Sequence, residues 1–312
     1  MKSIHLTLVS MFFSLAIFAQ NETIFDAVRN NDRNGLRNKL DKGANPDAFD
    51  SDSDNVLINA VMYASIDCIQ ILLEKGAHPN LKNKCGQTAL MFCVQDTMRM
   101  KLLLKYGADI NASSDSKNTP LLIACLGSNR FEQIKFLLRN GADPTVKNAG
   151  GATALLRTAE LGDTLSLRLF VDMGLNINEN PWGFTPLMAA TRMANWPVVN
   201  FLLDHGADPN IPDPINMSVV LWAAELNQTK LVNRLLEKTN NINGIDSIAG
   251  MTPLMWATLN EYDSPQIMQA LIDKGANVNA KAKDGSTALS WAMKKGNTKT
   301  VAVLRKAGAL KK

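Results

Sequence analysis

Aromatic residues are scarce in this chain of 312 residues: Phe, Trp and Tyr together make up 6%. No large aromatic core is being built, so layers of Ala, Leu and Val must carry the packing. Histidine is scarcer still. His5, His78 and His205 stand apart, and none lies near a Cys or Glu at ligand spacing, which argues against a metal site. The four cysteines, Cys68, Cys85, Cys93 and Cys125, form no C-x-x-C pair, so neither a zinc ribbon nor a redox motif is present. G-x-S-x-G, the phosphate-binding P-loop and G-x-G-x-x-G are missing too. Gly150-Gly151 reads as a turn, and carboxylates are scattered through the loops as turn formers. These absences leave no candidate catalytic residue, cofactor site or metal site, and no enzyme is expected.

An excess of charge of one sign is also lacking. The 33 Lys and Arg against 29 Asp and Glu leave +4, too little to indicate a nucleic-acid partner. The balance is uneven, however. From Ala280 to Lys312 nine basic residues face Asp284 alone, so this segment carries +8 and the remainder about −4. Such an end can meet an anionic membrane surface, or it can be the solvated outer face of a terminal repeat.

Long hydrophobic runs are confined to the beginning. Lys2 and His5 precede an apolar stretch from Leu6 to Phe18, and Ala19 offers a small residue for cleavage. This predicts a signal peptide over 1–19, with Ile17 an imperfect match at the third position before the cut. About thirteen residues fall short of the ~20 that span a bilayer, so the expectation is an exported protein. It would be periplasmic or extracellular, with no membrane span, beginning near Gln20.

What is abundant is repetition. Gly43-Ala-Asn-Pro, Gly76-Ala-His-Pro-Asn, Gly107-Ala-Asp-Ile-Asn, Gly141-Ala-Asp-Pro, Gly174-Leu-Asn-Ile-Asn, Gly206-Ala-Asp-Pro-Asn, Gly275-Ala-Asn-Val-Asn and Gly308-Ala recur at intervals of 33, 31, 34, 33, 32, 69 and 33. The long interval holds a degenerate copy, Thr239-Asn-Asn-Ile-Asn. About 21 residues before most of these glycines stands a second landmark: Thr88-Ala-Leu, Thr119-Pro-Leu, Thr153-Ala-Leu, Thr185-Pro-Leu, Ser218-Val-Val, Thr252-Pro-Leu and Thr287-Ala-Leu. Thr caps the free N–H groups of a helix start, and Pro in the first turn loses nothing by lacking one. Gly after an apolar run is a helix stop, because it takes the left-handed conformation that side chains resist. Each period therefore holds two short helices and a turn. Thr239 in place of Gly is a poor occupant of a left-handed position.

The pattern resembles the ankyrin repeat, whose signature is T-P-L-H-x-A within about 33 residues. The resemblance covers 22–310 as nine units, approximately 22–47, 48–80, 81–111, 112–145, 146–178, 179–210, 211–243, 244–279 and 280–312. It implies an all-α ankyrin-repeat solenoid of helix-turn-helix units with projecting hairpin loops. The His of the signature is replaced by Ile58, Met91, Leu122, Leu156, Met188, Leu221, Met255 and Ser290, exchanging a polar link between repeats for apolar packing. The third repeat is about two residues short and the eighth about two long, around Glu261 to Pro265.

The register also sorts individual residues. Cys68, Cys93 and Cys125 fall on inward helix positions and Cys85 in a loop. Trp222, Trp256 and Trp291 each follow the Ser/Thr landmark by four, which predicts a core ladder between stacked helices. Loop tips and the outward side of the first helices are the surface that the resemblance assigns to partners, on the concave face. In the sixth repeat these are Pro181, Trp182 and Phe184 on the tip, then Arg192 and Met193 on the helix. Exposed Trp beside Arg is the mix that dominates binding hot spots. Lys84, Gln87, Gln95 and Asp96 occupy the same surface in the third repeat, while Arg157 either pairs with Glu160 or joins the contact face. The implied function is a monomeric, non-catalytic scaffold for a protein partner. The alternatives are an inhibitor or immunity-type protein masking a secreted toxin or enzyme, and a peripheral protein on anionic lipid.

Overall fold

The computed structural model describes residues 24–127, 130–259 and 263–310. The leader expected over 1–19 therefore lies outside the described residues. By contact the chain divides into two compact units, Met1–Ala154 and Leu155–Lys312. Among the described residues it is all-helical, with a single isolated antiparallel bridge between Phe49 and Asn55.

In the first unit a helix over 24–29 precedes Arg33–Asp41, and three helix pairs follow: Val56–Tyr63 with Ile66–Glu74, Ala89–Phe92 with Thr97–Lys105, and Pro120–Ala124 with Phe131–Arg139. In the second unit the pairs are Ala154–Leu161 with Thr164–Asp172, Pro186–Arg192 with Trp196–Asp204, Val219–Glu225 with Thr229–Lys238, Pro253–Trp256 with Pro265–Asp273, and Ala288–Lys295 with Thr298–Lys306. Ala154, the first residue of its helix, is the last of the first unit. Within each unit first helices pack on first helices and second on second. No pair can bury its apolar side alone, so each supplies the wall its neighbour needs.

Both landmarks do what their chemistry dictates. Thr119, Thr185, Thr252 and Thr287 accept N–H bonds from Leu122, Met188, Met255 and Ser290, and Asn55 does the same for Ile58. Thr88 is an exception: its hydroxyl is buried without a hydrogen-bond partner, and its helix is only four residues long. The glycines at 43, 76, 107, 141, 174, 206, 275 and 308 all have φ between 81° and 92°. Thr239 escapes the expected strain by another route. It is extended, φ −84° and ψ 132°, so the chain leaves the helix at Lys238 without entering the left-handed region.

Replacing the signature His with apolar residues works as packing: Ile58, Met91, Leu122, Leu156, Met188, Leu221 and Met255 are all buried. Ser290, in the last repeat, is exposed and completes a capping box with Thr287 instead. Cys68, Cys93 and Cys125 are buried and outside any disulfide, and burial pushes Cys93 up to about 12; Cys85 is exposed.

A ladder of asparagines joins successive repeats. The Asn four residues after the helix-stop Gly donates to the next stop's carbonyl and accepts the N–H two residues beyond it. Asn111 binds Gly141 O at 3.0 Å and Asp143 N at 2.8 Å. Asn80, Asn178, Asn243 and Asn279 repeat the arrangement within their own units, while Asn210, facing the repeat whose stop is Thr239, engages Lys238 O and Asn240 N, one residue earlier. In the eighth repeat residues 260–262 lie outside the described residues, but Asp263, from the same long turn, caps the final helix. Its two carboxylate oxygens accept from Lys299 N and Thr300 N.

Candidate interaction surface

The turns between helix pairs share one construction. An Asp or Asn at the first position accepts backbone N–H groups further along the turn: Asp50, Asn83, Asn148, Asp213 and Asp246 all do so. Such turns normally point polar residues outward, as the exposed Lys84 and Cys85 do. In the second unit three consecutive turns break that rule. Trp182, Ile215 and Ile248 sit at their tips with 53%, 37% and 68% of their surface exposed, joined by Ile245 at 47%.

These tips abut. A Cβ added to Gly183 would lie 2.5 Å from the Pro214 ring. Ser247 N donates to Ile215 O at 2.8 Å, and Asn216 Nδ2 donates to Ile245 O. Trp182 is held in a short 3-10 turn, Pro181–Gly183, with φ +57°. A left-handed tryptophan is a strained choice, and here it places an indole in solvent beside the buried Pro181.

A second apolar row runs along the ends of the first helices. Met193 belongs to it, with Leu161 and Leu226 in the same register, and each is followed by a left-handed residue, Ala194, Gly162 or Asn227. Arg192, one residue earlier, lies over the Phe184 ring at 5.0 Å and 3.7 Å from Glu160. Arg157 pairs with the same carboxylate at 2.8 Å, which decides its role as an ion-pair partner. Phe184 is thus partly buried under Arg192 rather than free at the tip.

The third repeat supplies less. Lys84 and Gln95 are exposed and Gln87 is partly buried. Asp96, at the same surface, also has a local role: it caps Thr97–Lys105 by accepting from Met98 N and Arg99 N and pairs with Arg99 at 3.1 Å. Lys84, Gln87 and Gln95 are in the first unit and the sixth-repeat residues in the second.

The tryptophan ladder also requires correction. Trp222, Trp256 and Trp291 are only partly buried. The fourth residue after the landmark lies in the angle between first helix and turn, and the indoles reach back to the turn: Trp256 Nε1 donates to Asp246 at 3.1 Å, and Trp291 Nε1 to Ser286 Oγ at 2.8 Å. Before Trp222 the residue aligned with Ser286 is Met217, which offers no oxygen, and the Trp222 Nε1 is shielded without an acceptor. Asp246 itself is held below the usual carboxylate range. Burial works to raise it, but the N–H groups of Ala249, Met251 and Ile248 and the Trp256 indole together outweigh that effect.

No group of three or more His, Cys, Asp or Glu able to hold a metal ion occurs among the described residues. Nor is any described helix long and apolar enough to cross a membrane.

A family model for ankyrin repeats matches residues 24–114, 57–148, 121–213 and 220–312. The chain belongs to the ankyrin-repeat family. Ankyrin repeats generally mediate protein–protein contact and are generally non-catalytic. Relatives include the human transient receptor potential cation channel subfamily A member 1, 27% identical over 275 residues that cover 72% of this chain and 24% of the channel. The ankyrin repeat and KH domain-containing protein mask-1 of Caenorhabditis elegans is 28% identical over 82% of this chain and 10% of its own length. A putative ankyrin repeat protein of Rickettsia felis is 34% identical over 38% of this chain and 40% of its own. The chain thus spans a quarter or less of the length of the first two. Ile215, Ile245 and Ile248 do not stand out in the sequence; the signal is an apolar residue at 215 and 248 where other turns carry Ser116 or Asp284, and at 245 where other repeats carry Lys82, Lys147 or Lys281.

Proposed function

We propose that this ankyrin chain is a non-catalytic scaffold that holds one protein partner against the turn side of its second unit. The observation that carries this reading is the row Trp182, Ile215, Ile245 and Ile248. Contiguous exposed apolar side chains cost solubility, and those on a soluble surface mark interaction sites. Rows of this kind bind when a few central anchors enter pockets of the partner. Two features support the anchor role for Trp182: it is large, and its strained backbone pays no debt to the core. The second apolar row adds contact area, and Arg192, held between Phe184 and Glu160, supplies part of the polar rim that such interfaces carry.

The apolar stretch before Ala19 supports an exported, periplasmic or extracellular setting, which amino-terminal sequencing of the purified native protein tests; an intact Met1 would refute it. The binding reading is tested by placing a photo-crosslinking amino acid at 182, 248 or the exposed position 237 on a second helix. Protein adducts are expected from 182 and 248 and not from 237. The adduct is then purified and titrated with Trp182→Ala, which is expected to weaken it at least tenfold. Equal labelling at all three positions refutes the surface.

A further inference from the structure

The tip row ends at the ninth repeat, where the surface changes character. Lys281, Lys283, Lys294 and Lys295 are exposed there, and among the described residues none is within 4 Å of a carboxylate. Lys283 crosses to the eighth repeat: its backbone N–H donates to Ala249 O at 2.9 Å, its ammonium donates to Ser247 O, and its stem covers Gly250. Lys294 stands 4.9 Å from the Trp291 ring. Asp284, the single acidic residue of Ala280–Lys312, accepts from Ser286 N of its own turn at 2.8 Å. Beside these cations runs the column Trp222, Trp256 and Trp291, with the indole N–H groups of Trp256 and Trp291 turned inward to Asp246 and Ser286. What remains outward on those two is aromatic face, not hydrogen-bond donor.

We infer that the angle between first helices and turns in repeats seven to nine receives an extended acidic segment of a partner protein, its apolar side chains on the tryptophan column and its carboxylates on Lys283, Lys294 and their neighbours. The inference rests on the scaffold reading above and names the partner's chemistry. Size is consistent: neighbouring helices pack 8–10 Å apart, so three columns cover about 20 Å, which an extended chain crosses in about six residues. Alternation of side chains in such a chain offers apolar groups to one side and carboxylates to the other. A lipid surface fits less well, because Asp284 sits among the lysines and the tryptophans line an angle rather than an exposed plane.

The test uses the full chain and two degenerate, fluorescein-labelled pools of eight-residue peptides that alternate Phe or Leu with Glu or Asp in one pool and with Lys or Arg in the other. Fluorescence anisotropy is read for the parent, Lys294→Glu, and Lys283→Glu with Lys294→Glu, after circular dichroism confirms unchanged helix content. The acidic pool is expected to bind the parent, to lose at least fivefold with the double reversal and less with Lys294→Glu alone, and to weaken with salt. Equal binding of the basic pool, or an acidic-pool affinity unmoved by the double reversal, overturns the inference and leaves the scaffold reading intact. Failure of both pools while position 182 or 248 still crosslinks a protein also overturns it. Sedimentation of the parent with phosphatidylserine vesicles but not phosphatidylcholine vesicles, abolished by the double reversal, overturns it in favour of a membrane surface. Failure of both pools together with failure of crosslinking removes the scaffold reading itself.

Discussion

Replacing Asn111 by Ala removes one rung of the ladder and nothing else of consequence. The side chain is exposed, so little apolar surface is lost. Two hydrogen bonds go, at 3.0 Å to Gly141 O and 2.8 Å to Asp143 N. Both stranded backbone groups lie near solvent and can take water, so each bond is counted at its net worth of about 0.5–1.5 kcal/mol rather than at a full desolvation penalty. Asn111→Ala should therefore destabilise the first unit by about 1–3 kcal/mol. For a unit of this size that is a fall of roughly 2–4 °C in melting temperature for each kcal/mol. Asn111→Asp keeps the bond from Asp143 N but turns its second oxygen on the Gly141 carbonyl, and should cost at least as much as one bond. The control is Asn34→Ala, an exposed residue inside Arg33–Asp41, where the higher helix propensity of Ala makes the change neutral or slightly stabilising. Urea titration followed by circular dichroism measures all three. A loss below about 0.3 kcal/mol for Asn111→Ala would refute the reasoning, since the bonds would then be worth no more than their exchange for water.

Ile248→Asp should abolish capture of the crosslinked partner while shifting the melting point by under about 2 °C, because the side chain is mostly exposed; a matching loss of stability would instead make it a packing residue. Thiol titration of the native protein should show one fast group, Cys85, and three that react only on unfolding; a fast Cys93 would contradict the burial that pushes it up to about 12. Asp246 and Asp263 are both held below the ordinary carboxylate range, so they bind fewer protons folded than unfolded. Their contribution is complete above the unfolded carboxylate range and is lost as pH falls through the folded value. Thermal melts of the parent between pH 7 and pH 3 should therefore fall more steeply than those of Asp246→Asn; parallel curves would show that the buried turn carboxylate does not drive the loss.

Much of this arrangement is legible in the residues because the period fixes register, and register fixes which side chains face inward. Thr-Pro starts, Gly stops, the apolar residues in place of the signature His, and the sorting of cysteines into three buried and one exposed all follow from that. Register fails where direction and distance matter. The periodic spacing of the tryptophans at the fourth landmark position predicts core, yet that position looks along the helix toward the turn, where an indole can satisfy its N–H on Asp246 or Ser286. Phe184 was read as a free tip residue, but a guanidinium five ångströms away from its ring covers it. Asp96 stands at the surface, and that it is also a helix cap takes the structure to see. Ile215 and Ile248 escaped notice because a single isoleucine in a loop is unremarkable. Only adjacency of the three turns makes a surface of them, and adjacency is a property of the stack. The asparagines were visible as a motif, but their reach into the following repeat depends on distances no spacing rule supplies.

The ladder has a direction. Every Asn grips backbone belonging to the repeat after it, so the obligation to be matched falls on the downstream neighbour's main chain, which is the same whatever its side chains are. The main-chain part of each rung is therefore met by whichever repeat follows, while the apolar wall that each pair needs still depends on the neighbour's side chains.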